Sequence, residues 1–315
     1  MKNRNGLLEI YRFLLCFVPL YYHSFFYFKR NYELFDVPEL AVDFFFMLSG
    51  FFLMNSMRRL KDEKVLVGMG KIVFGRVKPM MFTLCFISAF NLICILIFVR
   101  ENYLSTLFEL FKYWWFVLYL AIGIGLIYLV YRALKSEKLF VVFLALLAAG
   151  MACLHYSVVE LGMFIHELVF FTRAFGCISA GILVSYVPRL RIGKFNYAIP
   201  VVAFLLPTLI YLFFDNNSFL IRIAMVIMFG ALMYFSVHIN LGGRIFDLFG
   251  KLSVRMYLYM AMLTMLAILG LNNHRVLFVM DITLAVMDIT LDTYRTKYRT
   301  LKARVETPER ELVLK

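Results

Sequence analysis

Long apolar stretches, separated by short polar segments, run along the whole chain. Each stretch holds about 20 residues, the length that an α-helix needs to cross the hydrocarbon core of a bilayer. The pattern therefore predicts an all-α polytopic membrane protein with about ten transmembrane helices. The expected spans are residues 7–28, 39–57, 79–99, 113–131, 139–155, 162–187, 197–214, 218–238, 252–270 and 276–292. We expect residues 1–294 to form one membrane domain and residues 295–315 to form a basic cytoplasmic tail.

Composition supports the same class of protein. Apolar residues make up 63% of the chain, and the mean hydropathy is +0.82. A soluble globular domain is only about 45–50% apolar, so that class is excluded. The five cysteines fall in expected spans without the spacing of metal ligands, which favours buried small side chains over a metal site or a disulfide framework.

The net charge of +13 does not indicate a nucleic-acid-binding protein, because the basic residues follow the topology. With a cytoplasmic N-terminus, 24 of the 33 lysines and arginines lie in inside segments and only 5 lie in outside loops. This asymmetry is the one that orients membrane proteins, and it predicts that both termini are cytoplasmic.

The first expected span carries an arginine and a histidine among its apolar residues, Arg12 and His23. They are eleven positions apart, so they share one helix face at a separation of about 16 Å along the axis. A buried cation at membrane depth is costly and usually marks a functional site in the bundle interior. Asp43 lies in the second span at a depth similar to that of His23. The two form either a carboxylate-oriented general base or a structural ion pair between helices.

Arg12 and Ser49 also allow two interpretations each. Arg12 either clamps an anionic or thioester-bearing substrate and stabilises an oxyanion, or it reaches toward water and pairs with Glu9 one turn away. Ser49 and its neighbour Gly50 lie in the middle of the second span. Small residues there let either a ligand or another helix backbone approach closely.

A basic cluster occupies the inside segment at positions 58–78, which is compatible with a helix and precedes a third span expected to begin at Pro79. Such a cluster can hold the phosphates of a nucleotide-like ligand, although the topology rule places positive charge there in any case. Arg76 and Lys78 are favoured because they lie at the mouth of the bundle. The cluster comprises Arg58, Arg59, Lys61, Lys64, Lys71, Arg76 and Lys78.

The sixth span carries a third charged group, His166, Glu167 and Arg173. His166 and Arg173 are seven positions apart and share a face, so the group forms either part of an acceptor site or a charge-balanced helix contact. The last apolar segment repeats the tetrad Met-Asp-Ile-Thr, with Asp281 and Asp288. This segment either spans the membrane or lies in its interface.

Two of these motifs together resemble those of a known family. The stretch from Gly6 to Arg12, followed ten residues later by His23, is similar to the Arg-X10-His signature of the bacterial membrane acyltransferases called acyltransferase family three. The stretch from Ala41 to Leu53 resembles the family's V-D-x-F-F-x-L-S-G-F motif. Further likenesses lie at residues 75–79, 113–116 and 250–258, while Val73 and Met260 depart from the pattern.

The resemblance implies an integral membrane O-acyltransferase of the bacterial cytoplasmic membrane, which moves an acyl group, usually acetyl, from acyl-CoA to a hydroxyl of an envelope or exopolysaccharide glycan. It implies that Arg12 and His23 are the catalytic pair, helped by Asp43, and that Arg76 and its neighbours contact the CoA. Acetyl-CoA would then be the acyl donor, with no metal, and the partners would be a glycan or lipid-linked saccharide and membrane lipid. The alternative is a transporter or flippase for such sugars without acyl chemistry. The sequence leaves homo-oligomerisation open.

Overall fold

The computed structural model describes residues 5–26, 39–98, 114–160, 166–188, 198, 201–202, 205–206, 219–236, 243–268 and 273–313. No strand occurs in these ranges, so the all-helical part of the prediction is confirmed. The long helices are Gly6–Phe26 (α1), Glu39–Arg59 (α2), Val65–Phe98 (α3), Trp115–Leu134 (α4), Glu137–Glu160 (α5), His166–Tyr186 (α6), Phe219–Ser236 (α7), Arg244–Ile268 (α8) and His274–Val313 (α9).

Four of these helices contain a stretch that is long and apolar enough to cross a membrane, within residues 65–97, 115–134, 137–157 and 168–186. The chain is therefore a membrane-associated helical protein. The count of ten spans and the cytoplasmic termini stay predictions, and most of the expected span 197–214 lies outside the described residues.

Local hydrogen bonds explain where two of the helices begin. Asn5 caps α1, because its side-chain oxygen accepts from the backbone N–H of Leu7 at 3.1 Å. Asn273 caps α9 in the same way and accepts from the N–H of Arg275 at 3.1 Å. The side chain of Asn5 also donates to the carbonyl of Ser236, which ties the start of α1 to the end of α7.

Helix α2 lies at the centre of the bundle and contacts α1, α3, α4, α6 and α7. Its closest neighbour is α6, and two glycines make that approach possible. A Cβ atom on Gly50 would collide with the carbonyl of Ile178, and one on Gly181 would collide with the carbonyl of Met47. Small residues let membrane helices pack backbone to backbone, so these glycines hold α2 and α6 together.

Helices α1 and α8 form a second pair, and α8 also contacts α3 and α9. Helix α4 lies between α3 and α6, while α5 packs on the outer side of α6. Helices α3 and α5 leave large apolar side chains exposed on their outer faces. A soluble protein would not expose such rows, and a lipid environment accounts for them. Examples are Phe82, Phe86, Leu96, Leu139, Val142 and Leu146.

Two helices extend further than hydropathy predicts. Helix α3 begins at Val65, fourteen residues before the expected start of the third span at Pro79, which lies inside the helix. Helix α9 continues through the expected tail to Val313. The α9 extension is polar, whereas the α3 extension carries three basic residues among mostly apolar ones and belongs to the same apolar stretch as the rest of the helix.

Candidate functional site

A cavity of about 530 Å³, a volume that includes its open mouth, lies between α1, α2, α3, α4 and α8. Two arginines, one from α1 and one from α3, lie among aromatic and apolar side chains, and none of the described lining residues is a carboxylate. The lining residues are Arg12, Phe45, Leu48, Ser49, Phe52, Arg76, Met80, Phe116, Ser253, Val254, Tyr257 and Leu258.

The guanidinium of Arg12 is fixed by three groups around it. Its Nε donates to the Ser253 hydroxyl at 2.8 Å, and its Nη2 donates to the carbonyl of Gly250. Glu9, one turn earlier on α1, forms an ion pair with Nη2 at 3.1 Å. The pairing with Glu9 that the sequence suggests is therefore present, and Arg12 lines the cavity as well. The two interpretations of Arg12 do not exclude each other.

Glycine at position 250 leaves room for the Glu9–Arg12 ion pair, because a Cβ atom there would displace the carboxylate of Glu9. Ser253 is buried and donates back to the Gly250 carbonyl at 3.1 Å. The motif from Gly250 to Ser253 on α8 thus binds the guanidinium of Arg12. The sequence drew attention to this motif but assigned it no role.

Arg76 of α3 faces the same cavity, within electrostatic range of Arg12. Lys78 is exposed instead, and its ammonium lies 5.6 Å from the ring centroid of Phe74. Two positions on a helix are about 200° apart, which explains why only one of the two cations reaches the cavity. Lys78 does not line this cavity, and its expected contact with CoA stays a prediction.

Arg58 and Arg59, also expected to contact CoA, are exposed at the end of α2. Arg58 pairs with Glu137 at 3.2 Å, and Arg59 donates to the carbonyl of Asn55 at 3.3 Å. Neither lines the cavity. Their positions are compatible with a solvent-facing cationic rim rather than with a buried contact.

Ser49 lines the cavity and donates to the carbonyl of Phe45 at 2.8 Å. Its neighbour Gly50 faces the opposite way, toward α6. The sequence allowed either a ligand or another helix to approach this pair, and both occur: Ser49 faces the cavity, and Gly50 forms the helix contact.

Asp43 is buried beside α6 and forms an ion pair with Arg173, with Nε and Oδ1 2.9 Å apart. The sequence placed these two residues in separate groups. The side chains of His23, His166 and Glu167 lie outside the described part of the structure, so an Asp43–His23 contact and the proposed acceptor group stay predictions.

Helix α9 carries a second buried charge cluster. Arg255 of α8 forms an ion pair with Asp288 at 3.1 Å and with Asp292 at 3.2 Å. Thr83 of α3 donates to Asp288 at 2.6 Å. The repeated tetrad thus places one aspartate in a network that joins α3, α8 and α9.

Aromatic side chains form part of the cavity wall. The ring of Tyr257 lies 5.8 Å from that of Phe45 and 5.1 Å from that of Phe116, measured between centroids. Residues 113–116 stand out in the sequence only as a likeness to the family, and only helical periodicity could have indicated that Phe116 turns inward. In the part of the chain that the structure describes, no three metal-ligating side chains lie together.

Comparison with models of protein families, with curated proteins and with solved structures finds no match to this chain.

Proposed function

We propose that the chain is an integral membrane O-acyltransferase that transfers an acyl group, acetyl in the simplest case, from acyl-CoA to a hydroxyl of a bacterial envelope glycan. The observation that carries the proposal is the cavity that Arg12 and Arg76 both line, with no carboxylate among the described lining residues. Such a cavity suits an anionic ligand with an apolar portion. The likeness of two motifs to acyltransferase family three supports the choice of acyl-CoA.

In this proposal the acyl donor enters the open mouth of the cavity, and Arg76 contacts its phosphate-bearing portion. Guanidinium groups suit phosphates because they donate several hydrogen bonds from one plane. Arg12 is already positioned by Ser253 and Gly250, so it can hold an anionic or thioester-bearing part of the donor without reorganising.

The reaction exchanges one acyl bond for another. The thioester C–S bond breaks, a C–O bond to the acceptor forms, and the acceptor proton ends on the sulfur of CoA. The proposed base is His23, on the same face of α1 as Arg12 and about 16 Å further along the axis. The flexible arm of CoA would carry the acyl group toward that position.

The test is acyl transfer by purified protein in lipid nanodiscs, with radiolabelled acetyl-CoA and glycan acceptors, following both label in the glycan and free CoA thiol. We expect His23→Ala and Arg12→Ala to abolish transfer, and Arg12→Lys to retain little, since a point charge replaces a planar fork. Arg76→Ala should raise the KM for acetyl-CoA roughly tenfold or more, because a charge-assisted hydrogen bond contributes about 1.5–3 kcal/mol. Arg244→Ala is the matched control, because Arg244 is exposed at the start of α8. Wild-type kinetics in Arg12→Ala would overturn the role of this cavity.

A transporter is the second candidate, and the buried ion pairs between helices favour it, since such groups also line substrate paths. The thiol assay separates the two functions. A protein that releases no CoA thiol with any acceptor, yet moves a lipid-linked sugar across vesicles, is a transporter.

A further inference from the structure

Asp281 is the most deeply buried carboxylate among the described residues, with 0% of its surface exposed. Neither of its oxygens has a hydrogen-bond partner among the described residues. Asp288, one repeat later, has Arg255 and Thr83 as partners. The two copies of the tetrad therefore differ, because one carboxylate is neutralised by an arginine and the other is not.

The surroundings of Asp281 are apolar on its own helix, where Leu277 and Ala285 belong to the buried core one turn away on either side. Cys16 of α1 and Tyr259 of α8 lie within electrostatic range of Asp281. An ionised carboxylate without a partner in such a place is so unfavourable that the group takes up a proton instead.

The position of Asp281 relative to α1 gives this proton a role. Cys16 lies one turn beyond Arg12 and is within electrostatic range of both Arg12 and Asp281. Position 23 follows position 16 by seven residues, so it returns to the same face of α1 about 10 Å further along. Asp281 is thus placed beside α1 at a depth between the donor-side arginine and the expected base.

We propose that Asp281 is a proton-binding site inside the bundle, a neutral carboxylic acid that exchanges its proton with water and lies between the two ends of the acyl-transfer site. The exchange role rests on the proposed function, in which a proton leaves the acceptor hydroxyl and a proton joins the CoA sulfur. Asp281 would give up one proton and regain one in each cycle, so it ends each turnover as it began.

The titratable and charged groups that face this site are few among the described residues. Cys16 on α1 and Tyr259 on α8 are within electrostatic range of Asp281 itself, and one neighbour further away lie Arg12 beside Cys16 and Asp288 and Arg255 beside Tyr259. At neutral pH, Arg12 is the nearest fixed positive charge on α1, and Glu9 and the Gly250 carbonyl already engage it.

The direct test is infrared spectroscopy of the protein in nanodiscs, with wild type compared with Asp281→Asn. We expect the wild type at neutral pH to show the carbonyl band of a carboxylic acid in an apolar environment. The band should be missing from Asp281→Asn and should shift after transfer to D2O. Asp288→Asn is the matched control and should leave this band in place. No such band in the wild type, or a band that does not respond to D2O, overturns the proposal.

Transfer kinetics test the exchange role. Asparagine has the shape of a neutral carboxylic acid but cannot give up a proton in this way. We expect Asp281→Asn to lower kcat at least tenfold, with the KM for acetyl-CoA unchanged and the pH profile of kcat flattened. Full activity with a wild-type pH profile would overturn the exchange role. If the wild type transfers no acyl group, the proposed function fails, while the infrared band still decides whether Asp281 holds a proton.

Discussion

The buried ion pair between α2 and α6 gives the sharpest prediction about the fold. Arg173 and Asp43 are 5% and 8% exposed, and their charged atoms are 2.9 Å apart. Removing one partner of such a pair leaves the other charge buried, which costs about 3–5 kcal/mol. We therefore expect either single variant, Arg173→Met or Asp43→Leu, to lower the folded-to-unfolded ratio by roughly 150-fold to several thousand-fold.

The double variant should behave differently, because two apolar side chains of similar volume leave no unpaired charge. We expect it to lie within about 1–2 kcal/mol of wild type, since such replacements are often neutral. The assay is reversible unfolding in mixed micelles, followed by tryptophan fluorescence. The chain has two tryptophans, and Trp115 reports on this region because it stacks on Phe170 of α6 with ring centroids 4.0 Å apart.

The exposed pair between Arg58 and Glu137 is the matched control. Its charged atoms are 3.2 Å apart, but its side chains are 46% and 52% exposed. The same cycle at this pair should give an interaction energy of only about 0.2–1 kcal/mol. An equal cost at the two pairs, or no recovery in the buried double variant, would refute the reasoning from burial.

The cycle also decides between the two interpretations of Asp43. If the double variant folds and still transfers the acyl group, Asp43 is structural. If it folds but is inactive while retaining its affinity for acetyl-CoA, Asp43 contributes to the reaction beyond its pairing with Arg173.

Two further predictions concern packing and the first inside connection. Gly181→Ala should destabilise the protein by about 1–3 kcal/mol, because the new Cβ meets the Met47 carbonyl. Gly70→Ala is the control and should be neutral or stabilising, since nothing lies within 4 Å of a Cβ there. Thermal unfolding in micelles measures both variants, and equal effects would contradict the close α2–α6 contact. Arg132→Gln should speed proteolysis of the turn between α2 and α3. Arg132 donates to the Leu60 carbonyl in this turn at 3.1 Å and so holds the turn against α4. An unchanged cleavage rate would show that the turn does not depend on this hydrogen bond.

Hydropathy was enough to predict the helical class and the approximate positions of most described helices, because apolar periodicity and length decide both. It did not predict that α3 starts at Val65 or that α9 runs on to Val313. Two prolines lie inside these helices without ending them, Pro308 in α9 and Pro79 in α3. The ring of Pro79 removes one hydrogen bond to the residue four positions earlier. That residue is Gly75, which is exposed and has nothing close to a Cβ position.

The candidate site was predictable in part. Arg12 and Ser49 could be chosen because charge or small size is unusual in an apolar span, and Arg76 because it precedes a span at the mouth of the bundle. The partner of Asp43 could not, since Arg173 lies 130 residues away and sequence spacing relates only residues of one helix or of adjacent ones. The hydrogen bonds of Arg12 to Gly250 and Ser253 could not be predicted for the same reason.

The polar residues of this bundle divide into two sets with different roles. Apolar surfaces give little preference between helices in lipid, so pairing depends on close contacts and on polar pairs. Such a pair joins α2 to α6 at Asp43 and Arg173, and another joins α8 to α9 at Arg255 and Asp288. Arg12 differs from both arginines, because it is bound to the α8 backbone and lines an open cavity as well. An arginine that only joined two helices would have no reason to line an open cavity, and for this reason we place the proposed acyl transfer at Arg12.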